Sequence, residues 1–344
     1  MIDYNKISKS PVELTKQDFV SDQMVKWCPG CGAHAILAAV GNVFPKIGYR
    51  KENFAMVSGI GCSSRFPYYV DTFGFHGIHG RAAAIASGLK IANPGLSVWV
   101  ATGDGDSMAI GGNHFIHVLR RNIDINILLF NNQIYGLTKG QFSPTTPLGT
   151  VTKTSPYGTI EHPFTVSGLV MGAQGTFFAR VPDNNIKLMT EVLYEAAKHN
   201  GTSVVEILQN CVIYADKVHE EVTTRDMRED RQLFLKHGES MIFGKNRDKG
   251  IIMAGNHLKV AEIGQNGINE SDILVHDQYN TDPGIHRMLG RMKLPGQPVA
   301  MGVIRSAPAN TYDDLTEQQI ETAKKTSRIQ SVNDLLRSGD TWEI

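Results

Sequence analysis

The sequence predicts an α/β protein: a doubly wound, mostly parallel sheet with a small C-terminal appendage. Three observations carry this expectation. Strand-length apolar runs bounded by glycine recur, helix-like segments alternate with them, and a polar cluster follows each run where a parallel sheet places its carboxyl edge.

Strands are expected at residues 54–58, 97–101, 125–130 and 202–208, each short, apolar and β-branched. Helices are expected at 32–43, 79–92, 112–121 and 184–199, the last opening after Asp183 as its N-cap. The clusters 59–65, 103–107, 131–139 and 210–217 then share one sheet edge, the edge at which such sheets bind ligands. Residues 1–217 carry this pattern and are expected to form the ligand-binding domain. Residues 218–344 read as a C-terminal extension, more charged from 218 to 247 and rich in Gly and Pro from 281 to 298.

Composition limits the function. The 344 residues are 41% hydrophobic, enough for a large core, and 34 Lys plus Arg balance 34 Asp plus Glu. No block of like charge points to a nucleic-acid partner. Charged residues break up positions 1–20, so no signal peptide is expected, and no run of about 18 apolar residues calls for a membrane. A cytoplasmic protein is expected. Its four cysteines are too few for a disulfide scaffold.

The run at 97–101 leads into Gly103-Asp104-Gly105-Asp106-Ser107, and the next run ends in Asn131-Asn132-Gln133-Ile134-Tyr135-Gly136. Gly103 and Gly105 let backbone approach a phosphate closely. Asp104, the Asn132 amide and the Ile134 carbonyl are the oxygen donors that a hard divalent cation bridging to a diphosphate takes. A dinucleotide fingerprint needs a third glycine at fixed spacing, and neither Gly103-Asp-Gly105 nor Gly59-Ile-Gly61 completes it.

Cys28 and Cys31 have CxxC spacing, which serves a metal or a redox disulfide; a thioredoxin-like site is disfavoured because residues 18–26 are polar. Cys62 and Cys211 fall at the same sheet edge as the phosphate turn. Four thiolates at one point suit zinc or an iron-sulfur cluster, and one CxxC with two distant single cysteines favours the cluster.

In this order the chain holds Cys-Pro-Gly-Cys-Gly from Cys28, Gly-Ile-Gly-Cys-Ser from Gly59, His79-Gly80-Arg81-Ala82, Gly-Asp-Gly-Asp from Gly103, and Asn-Asn-Gln-Ile-Tyr-Gly-Leu-Thr-Lys-Gly-Gln from Asn131. This series resembles the β subunits of 2-oxoacid:ferredoxin oxidoreductases, densely over 22–215 and more weakly over 276–305. The resemblance implies a thiamine-diphosphate-binding sheet, with Mg2+ on Asp104, Asn132 and Ile134, and one 4Fe-4S cluster on Cys28, Cys31, Cys62 and Cys211. It places Gly61, Cys62, Ser63, His79, Gly80, Gly103, Gly105, Asp106 and Asn132 around the cofactor. It puts Arg65, Leu137 and Lys139 toward the 2-oxoacid or coenzyme A, with His76 and Arg81 as weaker candidates.

The implied reaction is oxidative decarboxylation, with electrons leaving singly to the cluster before coenzyme A takes the acyl group. No glutamate here can be assigned to activate the aminopyrimidine, so an α subunit is expected to supply it, and ferredoxin is the expected acceptor. The favoured substrate is 2-oxoglutarate, with pyruvate or a branched-chain 2-oxoacid as alternatives. A non-oxidative thiamine-dependent subunit with structural zinc, or a zinc-stabilised binding subunit, are the competing readings.

Overall fold

The computed structural model describes residues 7–340 and 342; the first six residues of the N-terminal stretch considered above lie outside them. Strands β1 (Phe54–Ser58), β2 (Phe73–His76), β3 (Ser97–Gly103), β4 (Asn126–Asn131), β5 (Ile134–Tyr135), β6 (Gln141–Phe142), β7 (Phe177–Pro182), β8 (Ser203–Leu208), β9 (Gln232–Leu235), β10 (Ile242–Phe243), β11 (Lys249–Ala254), β12 (His257–Glu262) and β13 (Val299–Ser306) form three sheets. The largest has the order β2-β1-β3-β4-β8-β7-β13-β9. Its first six strands run parallel, and β13 opposes β7.

Both faces of this sheet are covered, which is why its central strands are apolar throughout rather than alternating. In β3, Val98 and Val100 point to one core while Trp99 and Ala101 point to the other. Helices α1 (Ala33–Ile47) and α6 (Ile186–Lys198) pack on the Trp99 side. Helices α3 (Ala82–Ala92), α4 (Gly112–Arg121) and α5 (Val166–Gly172) pack on the Val98 side; the short α2 (Phe66–Tyr69) precedes β2.

The expected strands and helices are present with ends moved by up to a few residues. Helix α1 continues to Ile47 through Pro45. The N-cap of α6 is Asn185, whose side chain accepts from the Leu188 amide, and not Asp183; the Asp183 carboxylate instead accepts from the Asn210 amide at 2.7 Å. The chain after Lys217 is more than an appendage, because it returns β9 and β13 to the large sheet. Only β10, β11 and β12 form a separate small sheet.

Candidate cofactor and thiol site

The four polar clusters do meet at one sheet edge. Asp104, just past β3, is 2% exposed, and its Oδ2 accepts from the hydroxyls of Ser143 and Thr145, each at 2.5 Å. Burial outweighs these bonds and lifts its carboxyl pKa to about 6, which a nearby cation would reverse. Thr145 also donates to Asn131 Oδ1 at 3.0 Å, so one hydroxyl ties the two turns together. The Asn131 amide in turn donates to Glu206 at 2.7 Å, and Glu206 pairs with Arg180 at 2.7 Å inside the sheet.

Tyr135 closes the turn from above. Its hydroxyl donates to the Gly105 carbonyl at 3.1 Å, and a Cβ at Gly105 would collide with its ring. This is the physical requirement for glycine at 105. Ser63 lies beside Gly103, and Gly61, at φ +127°, takes a backbone conformation that side chains disfavour.

Asp106 is held by four donors. Its Oδ1 accepts from the Ile60 and Gly80 amides, at 3.1 and 2.8 Å, and from His79 Nδ1 at 2.5 Å; its Oδ2 accepts from Thr102 at 2.8 Å. With these donors in place Asp106 fastens three loops together. It also sets His79: because Nδ1 donates inward, Nε2 is the ring nitrogen left for a ligand.

His76 is drawn away, its Nδ1 paired with the Tyr68 hydroxyl at 3.0 Å, and Arg81 is the N-cap residue of α3. Leu137 and Lys139 stand on the β5–β6 hairpin tip, Leu137 49% exposed and Lys139 at φ +77°. Arg65 is half-buried against the Tyr69 hydroxyl at 3.3 Å.

The cysteines form one electrostatic group. Burial, followed by the neighbouring thiols Cys31, Cys211 and Cys28, pushes the Cys62 thiol up to about 11, and burial raises Cys31 in the same direction. A Cβ at Gly136 would lie 3.6 Å from Cys211 Sγ and 3.8 Å from Cys62 Sγ. The Trp27 indole donates to the Cys62 carbonyl at 2.7 Å and braces that loop against the CxxC segment. Among the described residues no three His, Cys, Asp or Glu side chains crowd closely enough to enclose a bare metal ion.

Two hollows frame these groups. One of about 650 Å3 borders Cys31, His34, Asp183 and Lys217. The other, bordered by Gly80, Thr102 and Asp106, measures about 10 Å3.

Sequence reasoning missed Ser143, Thr145, Tyr135, Glu206 and Gln209. The hydroxyl-rich run Ser143-Pro144-Thr145-Thr146 was the available signal.

A sheet edge carrying these turns defines a thiamine-diphosphate-binding domain. Residues 59–207 match the thiamine pyrophosphate enzyme C-terminal TPP-binding domain. The chain is 46% identical over 331 residues to the 2-oxoglutarate oxidoreductase subunit KorB of Mycobacterium tuberculosis, covering 95% of this chain and 88% of that protein. It is 44% identical over 196 residues to the 2-oxoglutarate synthase subunit KorB of Archaeoglobus fulgidus, covering 56% of this chain and 73% of that one. A solved 2-oxoglutarate:ferredoxin oxidoreductase from Magnetococcus marinus, with 2-oxoglutarate, coenzyme A and succinyl-CoA bound, superposes with a TM-score of 0.77 at 29% identity, covering 98% of this chain and 100% of that chain. The chain belongs to the KorB family of 2-oxoglutarate oxidoreductase subunits. No described helix is long and apolar enough to cross a membrane.

Proposed function

We propose that this chain, with an α subunit, converts 2-oxoglutarate and coenzyme A to succinyl-CoA and carbon dioxide while reducing ferredoxin. One observation carries the reading: the diphosphate turn and the thiol group are adjacent. Ile134, the backbone candidate for the metal, is two residues from Gly136, where a Cβ would touch both the Cys62 and Cys211 sulfurs.

Asp104, Asn132 and the Ile134 carbonyl would hold Mg2+, and Cys28, Cys31, Cys62 and Cys211 a 4Fe-4S cluster. When bound, thiamine diphosphate supplies the carbon nucleophile and electron sink for decarboxylation, and the cluster takes electrons singly. His79 Nε2 would reach a phosphate oxygen, with Asp106 holding the ring. Arg65 and Lys139 would face substrate carboxylates or coenzyme A, with Leu137 packing beside them. An α subunit would complete the site and supply the activating glutamate, in keeping with the subunit naming of the KorB relatives. Residues 1–217 would be the cofactor-binding unit and 218–344 an extension tied to it through β9 and β13.

The test is iron, sulfide, zinc and thiamine content of the anaerobically purified complex, with electron paramagnetic resonance before and after 2-oxoglutarate and coenzyme A. About four irons per chain and substrate-dependent cluster reduction are expected. Stoichiometric zinc without iron would overturn the electron-transfer reading. Cluster reduction by pyruvate but not by 2-oxoglutarate would reassign the substrate.

A further inference from the structure

Gln209 follows β8 and is 2% exposed. Its backbone amide donates to the Asn131 carbonyl at 3.0 Å, which fixes the residue against the metal turn. Its side chain has two partners: Oε1 accepts from Asn132 Nδ2 at 3.1 Å, and Nε2 donates to Cys31 Sγ at 3.4 Å.

The orientation of both amides follows from one backbone group. The Ile134 N–H donates to Asn132 Oδ1 at 3.2 Å, so the Asn132 NH2 must point at Gln209. Gln209 must then present its oxygen to Asn132, which leaves its NH2 for the sulfur. Turning it over would set NH2 against NH2. Gly32, the residue after Cys31, leaves room: a Cβ there would collide with Asp183 Oδ2 at 1.8 Å and come to 3.0 Å from Gln209 Cγ.

Resting on the reading that Cys31 binds the cluster and Asn132 the metal, we propose that Gln209 is a positioning residue that joins the two cofactors. It aims the Asn132 carbonyl oxygen and hydrogen-bonds a ligand sulfur of the electron acceptor. Partners behind a metal ligand govern its geometry and affinity, and hydrogen bonds to cluster sulfurs raise the reduction potential by stabilising the more negative, reduced state. One buried amide thereby serves both ends of the electron transfer.

Two variants of the anaerobically purified complex, Gln209→Met and Gln209→Glu, test this against wild type. The readouts are iron content, cluster midpoint potential by redox titration, and thiamine diphosphate affinity with Mg2+ in the absence of substrate. Gln209→Met keeps the length and loses both bonds. Its potential should fall below wild type and its thiamine affinity weaken about tenfold. Gln209→Glu still accepts from Asn132 but cannot donate to sulfur, so it should bind thiamine as wild type does while its potential stays low.

Wild-type potential in an iron-replete Gln209→Met complex would overturn the bridge, and so would wild-type thiamine affinity. If Gln209→Met fails to assemble, Gln209→Glu decides: an unchanged potential overturns the proposal. Wild-type complex without iron would instead sink the cluster reading, and this inference with it, before any variant is compared.

Discussion

Asp104 and Cys62 stand at neighbouring strand ends, yet their surroundings differ in kind. Asp104 is enclosed by fixed hydroxyls and roofed by Tyr135, so its shape is set by the protein. Cys62 sits among other thiols, and burial first and those thiols second raise its own proton affinity, with Cys28 exposed to solvent. The first half of the site is preorganised by hydrogen bonds. The second becomes a set of thiolates only when a positive centre takes their protons. The two halves should therefore fail separately.

Cys62→Ala is the largest perturbation: iron should be lost and ferredoxin reduction abolished, while thiamine diphosphate still binds. Loss of thiamine in that variant would show that the halves are one structure. Asp104→Asn reverses the pattern. Isothermal titration should show thiamine affinity, in the presence of Mg2+, reduced by more than the 10- to 100-fold that an outer partner of a metal ligand is worth, with iron retained.

Thr145→Val leaves the ligands in place but removes the donor shared by Asp104 and Asn131. Denaturant unfolding should show a loss of about 1–3 kcal/mol, with a smaller drop in thiamine affinity than Asp104→Asn causes. A stability unchanged by Thr145→Val would mean that the enclosure of Asp104 is not what holds this half.

A group away from this edge gives the smallest effect and serves as a control. His199 Nε2 bonds the Thr176 hydroxyl at 2.8 Å, and burial lowers its pKa from 6.5 to about 4. The folded state thus leaves it neutral where the unfolded chain binds a proton, so its stabilising contribution is full above pH 6.5 and is lost as pH falls toward 4. His199→Gln should remove up to one proton from the pH dependence of unfolding and leave cofactor affinity unchanged.

Much of this arrangement is legible in the sequence because the central strands are buried on both faces and read as unbroken apolar runs. The ends of β1, β3, β4 and β8 follow from those runs, and the polar clusters after them do meet. Strand β7 escaped because Arg180 interrupts Phe177–Pro182; its charge is tolerated only because Glu206 stands opposite in the register. Strand β13 carries Gly302 at φ +90° and Arg305, and β2 is exposed at every position, so neither shows the pattern of a core strand. Within the site, residue types announced the donors but not their partners. Asp106 has the same composition signal as Asp104, and only folding brings the amides of Ile60 and Gly80 to its carboxylate. Gln209 lies 77 residues from Asn132, and its role depends on how that amide is turned.

Trp27 gives the thiol loop an optical handle. The chain has three tryptophans, and Trp27 alone is hydrogen-bonded to the cysteine loop, while Trp99 is sealed in the core and Trp342 is 81% exposed. An electron acceptor seated on Cys62 would quench the emission of the indole beside it far more than that of the distant residues. Ultraviolet fluorescence would then follow assembly of the redox centre in real time, with the exposed C-terminal indole as a built-in reference.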